Sequence, residues 1–454
     1  MSAGTEVTPM SSVSARLDRL PILPFHRRLL VLIGAGMFFD SFDIYLAGSV
    51  LGALVSSGWS NLDLNARFIS ATFVGMLIGA FVAGVLGDKF GRKFTYQFNL
   101  GIFGIASLAA AAAPSMNWLI VARFFAGVGL GAEIVIGYGL MLEFTPPAHR
   151  GRWAALLSVV TNFGLFASTL LSWLIIPTFG WRPMFVIAGI GALIVLWLRR
   201  AIPESPRWLE SQGRHAEADA IVTRAEAEER ARDVGRGPPA VPAAALAPPS
   251  ASVPERLLQG RNLRSLALGS FMHVVIGAAI YGFVAWVPTF LVQHGMAINR
   301  SLGQSVLMSL GGPAGAFIGF LLSDRIGRRP AIIGASLLAA VVGTAFAQAS
   351  SQIAAIALGF TMFTLIYFMV AIVVAGYVPE LFPTSIRMRG NGICNTMGRL
   401  ATIFVPFAVV ALFRLGALTA VLGAVTALLV LQAVVVWLAG TETNQRSLEA
   451  IAAG

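Results

Sequence analysis

Twelve apolar blocks, most of about twenty residues, divide this chain of 454 residues, and their recurrence limits its possible folds more than any other feature. As helices, blocks of that length cross a hydrocarbon core of about 30 Å, and helices satisfy every backbone polar group internally. They lie near 29–54, 66–86, 94–113, 118–141, 153–176, 182–199, 265–292, 301–322, 331–348, 352–377, 391–413 and 417–438. Charged residues make up 12% of the chain, against about 25% in soluble domains. That balance excludes a soluble enzyme, a disordered protein and a nucleic-acid-binding module. The sequence predicts an all-α membrane protein with twelve transmembrane helices.

The basic excess, 32 Lys and Arg against 21 Asp and Glu, follows topology. Threading the blocks back and forth puts 26 basic residues on one side and four (Arg67, Arg182, Arg300, Arg414) on the other, with Arg123 and Arg399 inside blocks. Arg199 and Arg200 count with the basic side. The positive-inside rule then places both termini and the long central loop in the cytoplasm. The first 25 residues lack a signal peptide's apolar region and cleavage site, so the first block is expected to serve as an uncleaved anchor. Cys394 is the single cysteine, and no nucleotide loop is evident. No metal, cofactor or nucleic-acid partner is expected.

An internal repeat splits the chain. GDKFGRK (87–93) follows the second block and SDRIGRR (323–329) the eighth, with Asp88 and Asp324 236 positions apart. Glu143, followed by Arg150-Gly151, answers Glu380, followed by Arg387 and Arg389-Gly390, at 237 positions. The organisation read from this is an N-terminal segment (1–25), a six-helix half (26–200), a linker (201–262), a second six-helix half (263–439) and a tail (440–454). The linker begins PESPRWL, continues as a charged helical pattern to Asp233, and ends in a Pro/Ala-rich run suited to a flexible tether.

These motifs, with ARFFAGVGLG in the fourth block, resemble the major facilitator superfamily over about residues 25–450. FFDSFDIYLAG, GLGAEIVIGYGLMLEF, YGFVAWVPTFL, MGRLATIFVP and ETNQRSLE are similar to its niacin-type and aromatic-acid proton symporters. PESPRWL and the tail are shared with sugar porters. The resemblance implies the two-half, pseudo-symmetric major facilitator fold and proton-coupled uptake of a small organic anion, such as nicotinate or a benzoate, across a bacterial inner membrane. The alternatives are a sugar porter, a drug or metabolite exporter, and a non-transporting receptor. A monomer in the lipid bilayer is expected.

Two groups of residues carry the expected mechanism. Asp88, Arg92, Glu143, Arg150, Asp324, Arg328, Glu380 and Arg387 sit at helix ends, where carboxylate–guanidinium pairs can gate the cytoplasmic side. Their other role is topology and capping. Within the blocks lie Asp40, Asp43, Arg123, Glu133 and Arg399, and charges at such depth usually face a cavity and a partner. Counting about 1.5 Å per residue places Asp43 and Arg123 at similar depths on oppositely directed helices. Burial disfavours a charged carboxylate and a guanidinium favours it, so separating such a pair can switch a proton. Acid and Arg at these positions are frequent in proton-coupled relatives, as the resemblance implies. Asp43 with Arg123 is therefore the expected coupling pair, Glu133 and Asp40 the second acids, and a fixed network the alternative.

Arg399 suits a carboxylate substrate, which a guanidinium grips through two parallel hydrogen bonds; the resembled symporters carry Gly-Arg here. Phe39, Phe42, Tyr281, Trp286, Phe363 and Tyr367 are candidates for stacking an aromatic ring. Asn162 and Asn395 could add polar contacts. His273 could relay protons or simply join two helices.

Overall fold

A computed structural model describes residues 13–146, 149–232, 257–382 and 386–443. The Pro/Ala-rich tether and the tail beyond Thr443 lie outside it, as do the side chains of Asp88, Arg150 and Asp324. Among the described residues all regular structure is helical.

The first half contains α2 (Pro24–Ser56), α3 (Leu62–Phe90), α4 (Arg92–Ala111), α5 (Met116–Phe144), α6 (Arg150–Phe179) and α7 (Arg182–Leu198). Local chemistry sets their ends. Pro24 opens α2, where a missing N–H costs nothing. Asn61 and Ser115 cap α3 and α5 by accepting from Leu64 N and Trp118 N at 2.9 and 3.4 Å.

The second half contains α10 (Gly260–Gly282) with α11 (Val287–Gln293), α12 (Ile298–Ser309) with α13 (Gly311–Ile326), α14 (Arg328–Ala347), α15 (Gln352–Ile372) with α16 (Val378–Glu380), and α17 (Arg387–Ala439). Prolines account for two of the breaks, because Pro288 and Pro313 have no N–H for the carbonyls four residues earlier. α17 turns a corner at Gly416 and Ala417 (φ 52°), which separates spans 387–415 and 418–439. Among the described residues, ten helices are individually long and apolar enough to cross a membrane. Dividing α17 at its corner and joining α12 to α13 brings the spans to twelve.

Packing repeats between the halves. Spans 2–4, 3–4, 3–6 and 1–5 pair in the first half; their counterparts 8–10, 9–10, 9–12 and 7–11 pair in the second. The fold is therefore two pseudo-symmetric six-helix halves, joined where α2 meets α11, α3 meets α17, and α6 meets α12 and α13. Phe81, Ile105, Phe179, Trp197, Phe404 and Trp437 are exposed around the outside, an apolar rim suited to lipid chains.

At the face carrying the basic loops, α8 (Pro206–Ser211) and α9 (His215–Arg232) form a small bundle with α1 (Val13–Arg19). Leu17, Leu20, Leu209 and Val222 make its core. Arg16 ties α1 to α9 through Glu226 (2.7 Å) and Asp219. Those carboxylates hold the Arg16 guanidinium above its ordinary range, and Arg16 holds Glu226 below the usual carboxylate range. Part of the N-terminal segment (1–25) is thus a docked helix.

Candidate functional site

The first buried pair lies within the first half. Arg123 on α5 donates from Nη1 to Oδ2 of Asp43 on α2 at 2.5 Å, with both side chains essentially inaccessible. Ser107 Oγ on α4 approaches Asp43 Oδ1 at 3.5 Å, and Arg123 Nε reaches Thr72 Oγ1 at 3.4 Å. The guanidinium also lies over Phe68 and Phe185 at 5.1 and 5.8 Å. One acid and one base, each with a polar supporter, make this cluster charge-balanced.

Roughly two to three turns nearer the basic face is a second cluster. Arg199, just past α7, donates from Nη1 to Glu133 Oε1 at 2.5 Å and from Nη2 to Tyr96 Oη at 2.8 Å. Its Nε and Nη2 also donate to the carbonyls of Leu32 and Ile33 at 3.0 and 3.1 Å. Gly36 makes this approach possible: a Cβ there would stand 2.6 Å from Glu133 Oε1, inside the space the guanidinium fills. Asp40 is buried close enough to feel the charges of Glu133, Arg199 and Asp43. Among the described residues, neither of its oxygens, nor Glu133 Oε2, has a hydrogen-bond partner. Arg199 is a correction to the sequence reading, which counted it as a topology signal. Lying at the last position of its block, it turns inward instead of snorkelling out. The duplicated Arg199-Arg200, with Glu133 left without a basic partner, was the available hint.

Arg399 has a different setting. It belongs to the first span of α17, is only half-buried, and donates from Nη1 across the half–half boundary to the Gly131 carbonyl at 3.2 Å. It forms no ion pair among the described residues. Tyr281 is near enough to interact electrostatically with it, and the Tyr281 ring meets Phe73 edge-on at 4.3 Å.

The aromatic candidates divide. Tyr281, Phe363 and Tyr367 lie at the boundary between halves, where Tyr367 meets Tyr45 at 6.2 Å. Phe363 lines a small cavity with Tyr45, Ser49, Thr169 and Ser305. Sequence reasoning did not single out Tyr45. Phe39 and Phe42 do not line this boundary. Phe42 is in the core of the first half, and Phe39 packs on Gly191 of α7, where a Cβ would overlap its ring. Trp286, of the second half, is buried against that core, stacked on Phe290 at 6.0 Å. Asn162 donates to its own helix at Ser158 O (2.9 Å), and Asn395 is half-buried one turn before Arg399. His273 Nδ1 is 2.9 Å from Gly269 O, while its Nε2 is buried without a partner among the described residues.

The loop ion pairs form inside each half. Arg92 Nε is 3.7 Å from Glu143 Oε1, and Arg328 Nη2 is 3.2 Å from Glu380 Oε1. Arg387 Nε reaches Phe382 O at 3.5 Å. Both of these described ion pairs lie within a half. Each loop also docks on a glutamate that the sequence reading quoted within a motif but gave no role. Glu204 of PESPRWL accepts from Arg92 N and Lys93 N at 3.0 and 3.1 Å. Glu442 accepts from Arg328 N and Arg329 N at 2.9 and 3.0 Å. Gly91 and Gly327 precede these helix starts at φ 97° and 89°, a left-handed backbone that favours glycine. Glu204 and Glu442 stand 238 positions apart, close to the offset of the other repeats, and that spacing was the missed signal.

Described polar links between the halves are Arg399–Gly131, Ser70–Ile403 (2.7 Å), Thr169–Ser309 (2.7 Å) and Arg414–Asp63 (2.5 Å), with the last near the face opposite the basic loops. This duplicated bundle agrees with a family match: residues 33–406 match the Major Facilitator Superfamily. The chain belongs to that superfamily. It is a multi-pass membrane transporter and not an enzyme. The transporter is 36% identical to the inner membrane metabolite transport protein YdjE of Escherichia coli (strain K12), over 97% of this chain and 98% of that one. It is 30% identical to the niacin transporter NiaP of Acinetobacter baylyi, over 96% and 99%. The xylose transporter XylE from E. coli, in a partially occluded inward open conformation, shares the fold with a TM-score of 0.72 at 18% identity, over 93% of this chain and 100% of that one.

Proposed function

We propose that this transporter imports a small organic anion together with protons across a bacterial inner membrane, with its basic face and both termini in the cytoplasm. The preferred cargo is an aromatic monocarboxylate of the nicotinate or benzoate type. Arg399 carries this reading: a half-buried guanidinium at the boundary between halves, with no acid partner among the described residues. A carboxylate can take the place of its single carbonyl contact through two parallel bonds. Tyr281, Phe363 and Tyr367 offer aromatic surface along the same boundary, and likeness to a niacin transporter agrees in chemical class. Asn395 and His273 remain secondary contacts in this reading.

Asp43 and Arg123 are the proposed coupling pair, with Glu133 and Asp40 as neighbouring acids. The halves rock about the bound anion, each turning as a body because Arg92–Glu143 and Arg328–Glu380 tie helix ends within it. Uptake into proteoliposomes under an inward proton gradient tests the assignment, using nicotinate, hydroxybenzoates, quinate, a hexose and a cationic dye. Gradient-driven uptake of the aromatic acids is expected. Uptake of hexose alone, or dye movement against the gradient, overturns it in favour of a sugar porter or an exporter.

A further inference from the structure

The two buried clusters differ in charge count, and that difference locates a proton. Asp43 and Arg123 balance one to one. Asp40, Glu133 and Arg199 set two carboxyl groups against one guanidinium, with all three side chains about 99% buried. Arg199 is committed to Glu133, to Tyr96 and to the carbonyls of Leu32 and Ile33. Asp40 receives no hydrogen bond among the described residues on either oxygen. A buried ionised carboxylate with neither an ion partner nor a hydrogen-bond donor is among the costliest groups to bury, and it sheds that cost by taking a proton.

We propose that Asp40 carries one proton in this conformation, making the Asp40–Glu133–Arg199 cluster a proton-binding site separate from the Asp43–Arg123 pair. The charged and titratable groups around Asp40 are consistent with this. Its own helix brings Asp43, already matched by Arg123; α5 brings Glu133; the turn after α7 brings Arg199; and α4 brings Tyr96. α6 packs nearby through Leu157, Val160 and Gly164, none of which titrates. Arg199 is the positioning residue: held on Glu133, it keeps that acid ionised and leaves Asp40 as the group without a counter-charge. The role in transport rests on the proton-coupled reading above, but the protonation itself can be measured without transport.

The test is infrared spectroscopy of the purified full-length transporter at neutral pH, in a detergent free of ester groups, observing the carbonyl stretch of neutral carboxylic acids. Wild type should show a buried neutral-acid band that is lost in Asp40→Asn. It should also be lost in Glu133→Gln, because Asp40 then has Arg199 to itself and ionises; this second variant keeps the test open if the first fails to fold. Arg199→Gln should roughly double the band, since both acids then lack a counter-charge. The charge-neutral double exchange Asp43→Asn with Arg123→Gln should leave it in place. No band in wild type, a band surviving in both Asp40→Asn and Glu133→Gln, or a band lost in the double exchange would overturn the proposal. If the band behaves as stated but wild-type uptake ignores a proton gradient, the coupled-transport reading fails and the proton site stands.

Discussion

Removing one partner of the Asp43–Arg123 pair should cost far more than removing both. Each side chain is buried to 1% exposure or less, and the pair is joined at 2.5 Å. Breaking such a pair from one side generally costs about 3–5 kcal/mol, because a charge is left in a medium that cannot solvate it. In Asp43→Asn the stranded Arg123 keeps Thr72 and the faces of Phe68 and Phe185. Cation–π contacts of this kind are worth about 1–2 kcal/mol, which leaves a net loss of about 1–4 kcal/mol. In Arg123→Gln, Asp43 keeps only the long Ser107 contact at 3.5 Å, so the loss should approach the full range. The double variant has no charge to strand and should be no less stable than the milder single. A double-mutant cycle, read by denaturant unfolding in mixed micelles, should therefore give a coupling of about 2 kcal/mol or more. Losses that add to within about 0.5 kcal/mol would refute the reasoning, since independent sites behave that way.

Arg399→Lys should weaken nicotinate binding about tenfold in calorimetry, because an ammonium keeps the charge but loses the fork; unchanged affinity would remove Arg399 from the site. Gly36→Ala should lower thermal stability by about 1–3 kcal/mol by forcing Arg199 off Glu133, whereas Gly34→Ala, whose Cβ would meet its nearest atom at 3.4 Å, should be nearly silent. Acidification should release α1 from α9. Arg16 holds Glu226 below the ordinary carboxylate range, so the contact stabilises the fold above the unfolded-state value and is lost as pH falls through the folded one. Hydrogen exchange at residues 13–19 should rise across that window, and Glu226→Gln should remove the dependence.

The architecture was legible because a bilayer allows few answers: block length predicts spans, and a repeat of motifs predicts repeated packing. The Asp43–Arg123 contact was legible because depth along a helix follows from counting residues at a fixed rise. Rotation about the helix axis does not. Phe39 and Phe42 sit close to the acids in sequence, yet they turn into the first half, Phe39 through the room left by Gly191. Arg199 was hidden for a related reason. At the end of an apolar block a long side chain can extend either to water or to a buried acid, and hydropathy is the same in both cases. The ion pairs at the loops were anticipated as residues but not as partners, because a repeated motif cannot say whether its charges meet within a half or across the boundary.

The most direct measurement of the central claim is proton movement driven by cargo alone. Nicotinate added to one side of unenergised proteoliposomes, with a pH-sensitive dye inside and membrane potential clamped, should acidify the lumen in step with nicotinate entry. The acidification should disappear in Asp43→Asn. Nicotinate entry with no change in lumenal pH, or with alkalinisation, would contradict the account.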